Sequence, residues 1–387
     1  MDSGQFDTMV HLAGEQTVPN FLAIRQFPGV QKHLILASTK TKEPANRVLD
    51  VAGVRGKVLD VEDPWEAPGI VSVLRSHAPD GTRCAYNVTG GTKLMAIASL
   101  HHALETGARA FYVHTEGAAI QWVGEDWGRE PLQGSLEVED FIRLAGHDLI
   151  DPGYWEDVPE REGRADVTRT LWKFRRCLAK AYKDVVNAMD TGGTLERTYK
   201  RKQRAVTIEW ARGTGRLVCE KQGKPVVDEQ VEWPDFLQYM AGGWFEEYCY
   251  LMLRPCLEDG EVQDIRIGLR PSWNMDVEDD ADEASKQEFD IVLTDGLRLT
   301  IVECKSGWSV RQQHIQKLEN NVSSYAGVMG RGILAAALKI DSHQAKPNRE
   351  RISQSRCLAA FGGKAVEKRM PDRILDVRPG QVFPGNS

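Results

Sequence analysis

Residues 83–93 read Arg83-Cys84-Ala85-Tyr86-Asn87-Val88-Thr89-Gly90-Gly91-Thr92-Lys93, an apolar strand-like run that breaks at a glycine pair and passes into a helical pattern reaching about Thr106. Paired glycines at a strand end let the backbone approach a ligand, and the free N–H groups of the next helix suit a phosphate. The same alternation repeats on either side. Strand-like runs at Asp7–Ala13, His33–Ser38, Lys57–Val61 and Ala108–His114 are separated by helical stretches around Asn20–Phe27, Pro44–Val54 and Gly69–His77. Strands and helices alternating at these lengths predict an α/β unit, a mainly parallel sheet covered on both faces with ligands at the carboxyl ends of its strands.

The loop is not a Walker A loop, because the Gly-x4-Gly-Lys spacing fails and Leu94 follows Lys93. GxGxxG is missing after the first strand, and Ser38-Thr39 rather than an acid closes the second, so a dinucleotide-dependent redox enzyme is not expected. The chain has 387 residues, 41% of them hydrophobic and 27% charged, which predicts a globular protein of two domains. A net charge of -7 weighs against a passive nucleic-acid coat but leaves an enzyme with local positive charge open. Seven scattered cysteines without a CxxC pair predict neither a zinc site nor a disulfide framework. With no apolar segment near membrane-spanning length and no signal peptide expected at Met1–Gln5, the predicted setting is cytoplasmic.

The α/β pattern breaks after about residue 146. A Pro/Gly/acid-rich stretch, Asp151–Gly163, reads as a linker before a helix near Val167–Met189. Domains are therefore expected at 1–150 and 196–387, with a linker and helix at 151–195. The basic cluster Lys200–Arg204 precedes strand-like runs at Ala205–Trp210 and Leu217–Glu220, and one long helical pattern covers Trp233–Leu253. Strands at Phe289–Leu293 and Leu299–Cys304, a helix across Arg311–Tyr325 and a strand at Gly332–Ala337 predict a second α/β core. The acidic run Asp276–Glu283 lacks the glycine and alternating ligands of a calcium loop and reads as solvated.

Chemistry concentrates in Phe289-Asp290-Ile291-Val292-Leu293 and Ile301-Val302-Glu303-Cys304-Lys305, joined across Asp295-Gly296, a hairpin signal. Alternation puts Glu303 and Lys305 on one strand face, with Asp290 beside Glu303 on the neighbouring strand. Two carboxylates can hold a hard divalent cation, Mg2+ or Mn2+, and a lysine can steer the attacking water or stabilise phosphoryl charge. Asp290…Glu303-Cys304-Lys305 resembles the PD-(D/E)XK restriction-endonuclease-like nucleases, with Phe289 standing where many of them have proline. The resemblance implies a further helical acid, for which Glu246 is the candidate and Glu247 the alternative, as a third metal ligand beside Asp290 and Glu303. Gln316 and Lys317 sit on a following helix that could face the site.

The loop Asn87-x-Thr89-Gly90-Gly91-Thr92-Lys93-x-Met95 resembles the ligand loop of CARF domains, the Rossmann-like sensors of CRISPR-associated proteins, as do Gly14–Asn20 and the Ser38-Thr39 strand end. Together the two resemblances imply a CRISPR ancillary nuclease of type III systems, a CARF domain followed by a restriction-endonuclease-like α/β nuclease domain. Such a protein would work as a homodimer that binds a cyclic oligoadenylate, typically cyclic tetra-adenylate, and cuts DNA or RNA. The resemblance places Asn87, Thr89, Gly90, Gly91, Thr92 and Lys93 around the messenger, with Gln16, Asn20, Ser38 and Thr39 from neighbouring strand ends. His101 and His102 point in different directions on one helix and are read as packing or surface residues. The tail cations Arg349, Arg351, Arg356, Lys364, Lys368 and Arg369 fit a nucleic-acid backbone or a solvated face equally. Two rival readings remain, a messenger-independent restriction or repair nuclease and an inactive nucleotide-responsive binding module.

Overall fold

The structure is a computed structural model that describes residues 6–78, 81–124, 127–272, 287–307, 310–340, 346–376 and 378–383; the acidic run Asp276–Glu283 lies outside them. The chain divides at Asp148/Leu149 into a front and a rear unit, with Ser272 returning to the front one. In the front unit, β1 (Thr8–Leu12), β2 (Lys32–Ala37), β3 (Gly56–Asp60), β4 (Cys84–Asn87) and β5 (Arg109–His114) pair in parallel in the order β3-β2-β1-β4-β5. β6 (Ala119–Val123) and β7 (Arg129–Pro131) extend that sheet antiparallel, two strands that the sequence pattern did not separate from the loop after β5. Every residue of β1 is buried, as a central parallel strand covered on both faces must be. Val10, Leu12, Leu36 and Tyr86 pack with Ile70 and Leu74 of α3 (Ala67–His77) and Met95 and Ala98 of α4 (Lys93–Glu105). α1 (Val18–Gln26), α2 (Lys42–Ala52) and α5 (Val138–Leu144) complete the unit, which also holds an aromatic group in which Phe27 and Trp122 each lie 5.4 Å from Phe111.

The rear unit begins at β8 (Leu149–Asp151), a short turn α6 (Glu160–Gly163) and α7 (Ala165–Thr191), a helix of 27 residues. α7 ends where Gly192 takes a left-handed φ of 62°, a conformation glycine adopts without strain. Its buried stripe, Leu171, Trp172, Leu178, Ala181, Val185 and Ala188, joins a core that also holds Ile208, Phe245, Ile265, Val302 and Ile333 of the rear unit, so the helix expected near Val167–Met189 packs into that core. Four antiparallel strands follow as a meander, β9 (Leu195–Arg201), β10 (Arg204–Ala211), β11 (Thr214–Lys221) and β12 (Lys224–Val231). The outer two are charge-rich edge strands with mostly exposed side chains, which is why apolar periodicity revealed only the inner pair. The basic cluster Lys200–Arg204 spans the turn between β9 and β10.

The helical pattern expected across Trp233–Leu253 is not one helix. α8 (Phe236–Gln238) and a wide turn at Tyr239–Gly243 precede α9 (Trp244–Glu258), with the break at Gly242, whose backbone is extended at φ 176°. The second sheet contains β13 (Asp264–Pro271), β14 (Phe289–Thr294), β15 (Leu299–Lys305), β16 (Arg331–Ala336), β17 (Leu358–Gly362) and β18 (Val382–Phe383), in the order β18-β17-β16-β15-β14-β13-β8. β14 runs antiparallel to both β13 and β15, whereas β15 to β18 are parallel. The Asp295-Gly296 turn forms as expected: Gly296 has φ 89°, and Asp295 Oδ1 accepts from the N–H groups of Leu297 and Arg298. Helices α10 (Gln312–Asn321), α11 (Lys346–Gln354) and α12 (Lys364–Arg373) connect the successive parallel strands.

Arg164, only 1% exposed, ties α7 to α9. Its Nη1 and Nη2 donate to the two oxygens of Asp235 at 2.7 and 2.6 Å, and its Nε donates to Glu247 at 3.1 Å. Its guanidinium lies 4.3 Å from the Tyr239 ring centre, and Thr168 and Tyr239 share a 2.7 Å hydroxyl contact beside it. Burial alone would pull Arg164 down, but its hydrogen bonds to Asp235 and Glu247 hold it above its ordinary value. Removing one partner of such a pair leaves an unpaired buried charge, at a cost of about 3–5 kcal/mol. Arg164→Met is therefore expected to destabilise the rear unit by about that amount in urea denaturation, and Arg164→Met/Glu247→Leu together by less than the single change.

Candidate functional site

In the rear unit, the pairing Ile291↔Val302 extends by one step to set Asp290 opposite Glu303 at the end of the β14–β15 ladder. Asp290 Oδ2 accepts the backbone N–H of Cys304 at 2.6 Å, which turns its carboxylate along β15. Lys305 Nζ lies 2.6 Å from Glu303 Oε1 and 3.6 Å from Asp290 Oδ2, and donates to Cys304 O at 2.9 Å. The three residues expected to act together are thus in contact. Lys305 is one-quarter exposed, whereas the Glu303 side chain is almost wholly covered. Cys304 points to the other face, into the core.

Glu246 enters from the first turn of α9. A Cβ placed on Gly242 would stand 3.6 Å from Ser306 Oγ and 3.8 Å from Glu246 Oε1, so this carboxylate lies beside the residue that follows β15. Burial, reinforced by the charges of Asp290 and Glu288, pushes the Glu246 carboxyl well above its usual range. Burial also pushes Asp290 up, against the opposing pull of Lys305, to about 6. Lys305 rises despite its burial, because Asp290 and Glu303 both hold its proton. Glu247, the alternative acid, faces Arg164 and serves structure. A cavity of about 300 Å³ opens beside Glu246, lined also by Glu288, Arg161 and Arg270.

Asp290, Glu303 and Glu246 present oxygen donors alone, the chemistry that selects a hard cation. They share one ammonium, leaving a covered negative excess that a further cation would offset. As the side chains stand, no three metal-capable groups among the described residues converge on one point. Gln316 and Lys317 are exposed on α10, away from direct bonding to the carboxylates. Two residues that the sequence did not single out do act on the site. Glu288, two positions before Asp290, raises both Asp290 and Glu246. The half-buried His314 of α10 is lowered first by burial and then by Lys305. Glu288 shares its strand face with Asp290 and was legible from alternation; His314 depends on how α10 docks, which sequence does not encode locally.

In the front unit, the winding reverses between β1 and β4, and the two glycine loops meet there. A Cβ on Gly90 would overlap the Leu12 carbonyl oxygen, so only glycine fits there, and one on Gly14 would crowd Gly91 N at 3.3 Å. Asn20 and Asn87 are buried beneath the loop. Asn87 Nδ2 donates to Asn20 Oδ1 at 2.9 Å, and Asn20 Nδ2 donates to Leu12 O at 2.9 Å. Thr89 Oγ1 donates to Asn87 Oδ1 at 2.6 Å and accepts from Val113 N at 2.7 Å. Thr92 caps α4 by accepting from Met95 N, and the Ser38 hydroxyl contacts Thr41 at 3.2 Å. Gln16, Thr39, Gly91 and Lys93 remain exposed around this floor. His102 is buried against Tyr86 OH at 3.0 Å, and the exposed His101 faces Glu105, as their packing and surface reading anticipated.

Residues 8–141 match the family model described as the Card1 CARF domain, and residues 235–352 match that of the Card1-like endonuclease domain. The chain is a CARF domain followed by a Card1-like endonuclease domain. Among solved structures it resembles Can2 from Sulfobacillus thermosulfidooxidans in complex with cyclic tetra-adenylate, at 19% identity and TM-score 0.66 over 95% of this chain and 97% of that one. It also resembles protein VC1899 from Vibrio cholerae, at 12% identity and TM-score 0.70 over 95% and 96% of the two chains. A type III CRISPR defence DNA nuclease activated by cyclic oligoadenylate aligns at 19% identity and TM-score 0.55, over 97% of this chain and 53% of that one. At these identities the likenesses establish the fold. No curated protein matches the sequence. Among the described residues no helix is long and apolar enough to cross a membrane, and all seven cysteines are free.

The raised carboxyls give a pH test for the site. A carboxyl whose folded pKa exceeds its unfolded value adds stability at low pH and loses it as pH rises through the folded value. For Asp290 that loss spans the interval from 3.8 to about 6. In chelator, the rear unit is therefore expected to lose stability from pH 4 to pH 7, and Glu246→Gln to raise the midpoint at pH 8 by roughly 2–4 °C per kcal/mol recovered. Thermal melts across pH check this, and an unchanged midpoint for Glu246→Gln would refute it.

Proposed function

We propose that the chain is a metal-dependent nuclease of type III CRISPR antiviral defence, switched on by a cyclic oligoadenylate, with cyclic tetra-adenylate as the expected activator. The convergence of Asp290, Glu303 and Lys305 at one strand end, inside a Card1-like endonuclease domain, carries this reading. Asp290, Glu303 and the accessory Glu246 would hold Mg2+ or Mn2+. When bound, such a cation polarises a phosphoryl oxygen and acidifies a coordinated water. Lys305 brings a fixed positive charge to the phosphate undergoing attack, preorganised by Glu303 and the Cys304 carbonyl. The cover over Glu303 keeps these charges in a medium where they act strongly.

For the front unit, the cyclic tetra-adenylate named with the Can2 structure supports a ring of phosphates seated over Gly90, Gly91 and the start of α4. Lys93 would face a phosphate, with Gln16, Ser38, Thr39 and Thr92 at its rim. Asn20, Asn87 and Thr89 would hold the loop in shape beneath. A homodimer is supported by an apolar face on α4, where Ile97 is 62% and Leu104 is 54% exposed. Residues one heptad apart share a helix face, and a twofold ligand suits a twofold interface.

The deciding experiment offers the full chain DNA and RNA, single- and double-stranded, with Mg2+ or Mn2+ and with or without cyclic tetra-adenylate. Cleavage is expected only with both metal and messenger, and Lys305→Ala should slow it by about 10²–10³-fold, the scale of losing one preorganised charge donor. Lys93→Ala should weaken messenger binding in calorimetry while leaving the fold intact. Cleavage indifferent to every cyclic nucleotide would leave the nuclease and remove the sensor. An absence of both metal binding and cleavage would return the chain to a binding module.

A further inference from the structure

Outside the carboxylate–lysine site, the rear unit contains a second cavity of about 540 Å³. Its cationic walls come from five separate parts of the chain: Arg175 and Arg176 of α7, Lys202 and Arg204 at the β9–β10 turn, Lys221 at the end of β11, Lys339 after β16, and Lys364 opening α12. Among the described residues lining it, Glu367 is the only acid, and its carboxylate already accepts the Trp172 indole N–H at 3.0 Å. Arg175 lies over the Trp172 ring at 4.1 Å and donates to Trp172 O at 2.8 Å, so its guanidinium is held rather than free to leave. Burial, and next the charge of Arg176, hold Arg175 below its ordinary value. Cations gathered from distant segments around one hollow repel each other unless an anion joins them.

Its floor connects to the catalytic strand end. Lys305 pairs in register with Ala336, and Ala336 with Gly362. Ala337 N donates to Lys305 O at 2.9 Å, and Gly363 N donates to Ala336 O at 2.9 Å; Ala337 and Gly363 both line the cavity. Strands lie about 4.8 Å apart, so Gly363, on the far side of the floor and two strands from β15, sits roughly 10 Å from Lys305 along the same carboxyl edge of the sheet. That is about three steps of a strand rising ~3.4 Å per nucleotide. Long cationic side chains share these walls with Trp172, Phe174 and Leu338, a denser gathering of one charge than the largely apolar lining that encloses a small molecule.

We propose that this basic cavity grips the phosphate backbone of the substrate strand a few nucleotides to one side of the bond cut at Lys305. The inference rests on the nuclease reading. It makes the tract Lys200–Arg204 part of a built site together with α7, rather than a solvated turn. Specificity for sequence is not expected from it, because phosphate contacts fix register without reading bases.

The test uses the full chain carrying Glu303→Gln, with labelled strands of about 20 nucleotides and a trinucleotide, with and without cyclic tetra-adenylate, titrated in salt. Adding Arg176→Glu/Lys202→Glu is expected to weaken long-strand binding at least tenfold. It should also flatten the dependence on log salt by about 0.7 for each phosphate the protein no longer neutralises, while trinucleotide binding stays unchanged. Lys32→Glu/Lys57→Glu, in the front unit, matches the change in net charge and should leave both quantities alone. Should charge reversal unfold the protein in a melt, Arg176→Gln/Lys202→Gln is the measured variant. Unchanged long-strand affinity and slope would overturn the proposal, as would an equal loss for the trinucleotide. So would inorganic phosphate stabilising the parent through these cations while long-strand binding ignores them. A parent that binds no nucleic acid would remove the nuclease reading together with this one; a parent that binds, with an indifferent variant, removes this one alone.

Discussion

The covered guanidinium of Arg164 is the constraint on which the rear unit turns. It lies at the start of α7, and both of its carboxylate partners belong to the segment that leads into and forms α9. Glu247 is anchored by it, and Glu246 is the next residue back on the same helical turn. Fixing one side chain therefore fixes the direction of the other, because successive residues on a helix are rotated by a constant angle. The candidate accessory acid is thus aimed by an ion pair on the adjoining residue of the same helical turn. Burial pushes Glu247 up even in the presence of Arg164, so the clamp is held under electrostatic cost, a pattern more suited to specifying geometry than to adding stability.

The two candidate sites meet the problem of close approach differently. The front loop excludes side chains at its closest point: Gly14, Gly90 and Gly91 bring two stretches of backbone together over a floor of amides and hydroxyls whose hydrogen bonds are already made. Such a surface offers N–H groups and little charge beyond Lys93. The rear site does the reverse, crowding carboxylates around one ammonium until burial raises two of them. One site is preorganised by satisfied polar groups and the other is left with charge to be balanced.

Much of this was legible in the sequence, for local reasons. The strand–loop–helix at Tyr86–Lys93 and the hairpin around Asp295-Gly296 have short-range signatures, and alternation alone set Glu303 beside Lys305. Helical spacing found α7 but could not show that it belongs to the rear core, since an amphipathic stripe does not name its partner. Edge strands β9 and β12 were hidden because their exposed faces carry charge in place of alternating apolar residues. The break before α9 was missed because Gly242 and Gly243 sit inside an otherwise continuous helical pattern. His314 and the second basic hollow arise from elements that meet only after folding.

Cys304 sits between the two residues at the centre of the chemistry, yet strand alternation turns its sulfur away from them into the core, where only 5% of the residue is exposed. Burial raises its thiol well above the usual range, so little thiolate forms, and thiolate is the form that reacts with peroxide or alkylating reagents. A residue placed where oxidation would be most damaging is thus chemically quiet. The strand thereby shields its own thiol from oxidants, through the same period-two geometry that gathers its acid and its lysine on the other side.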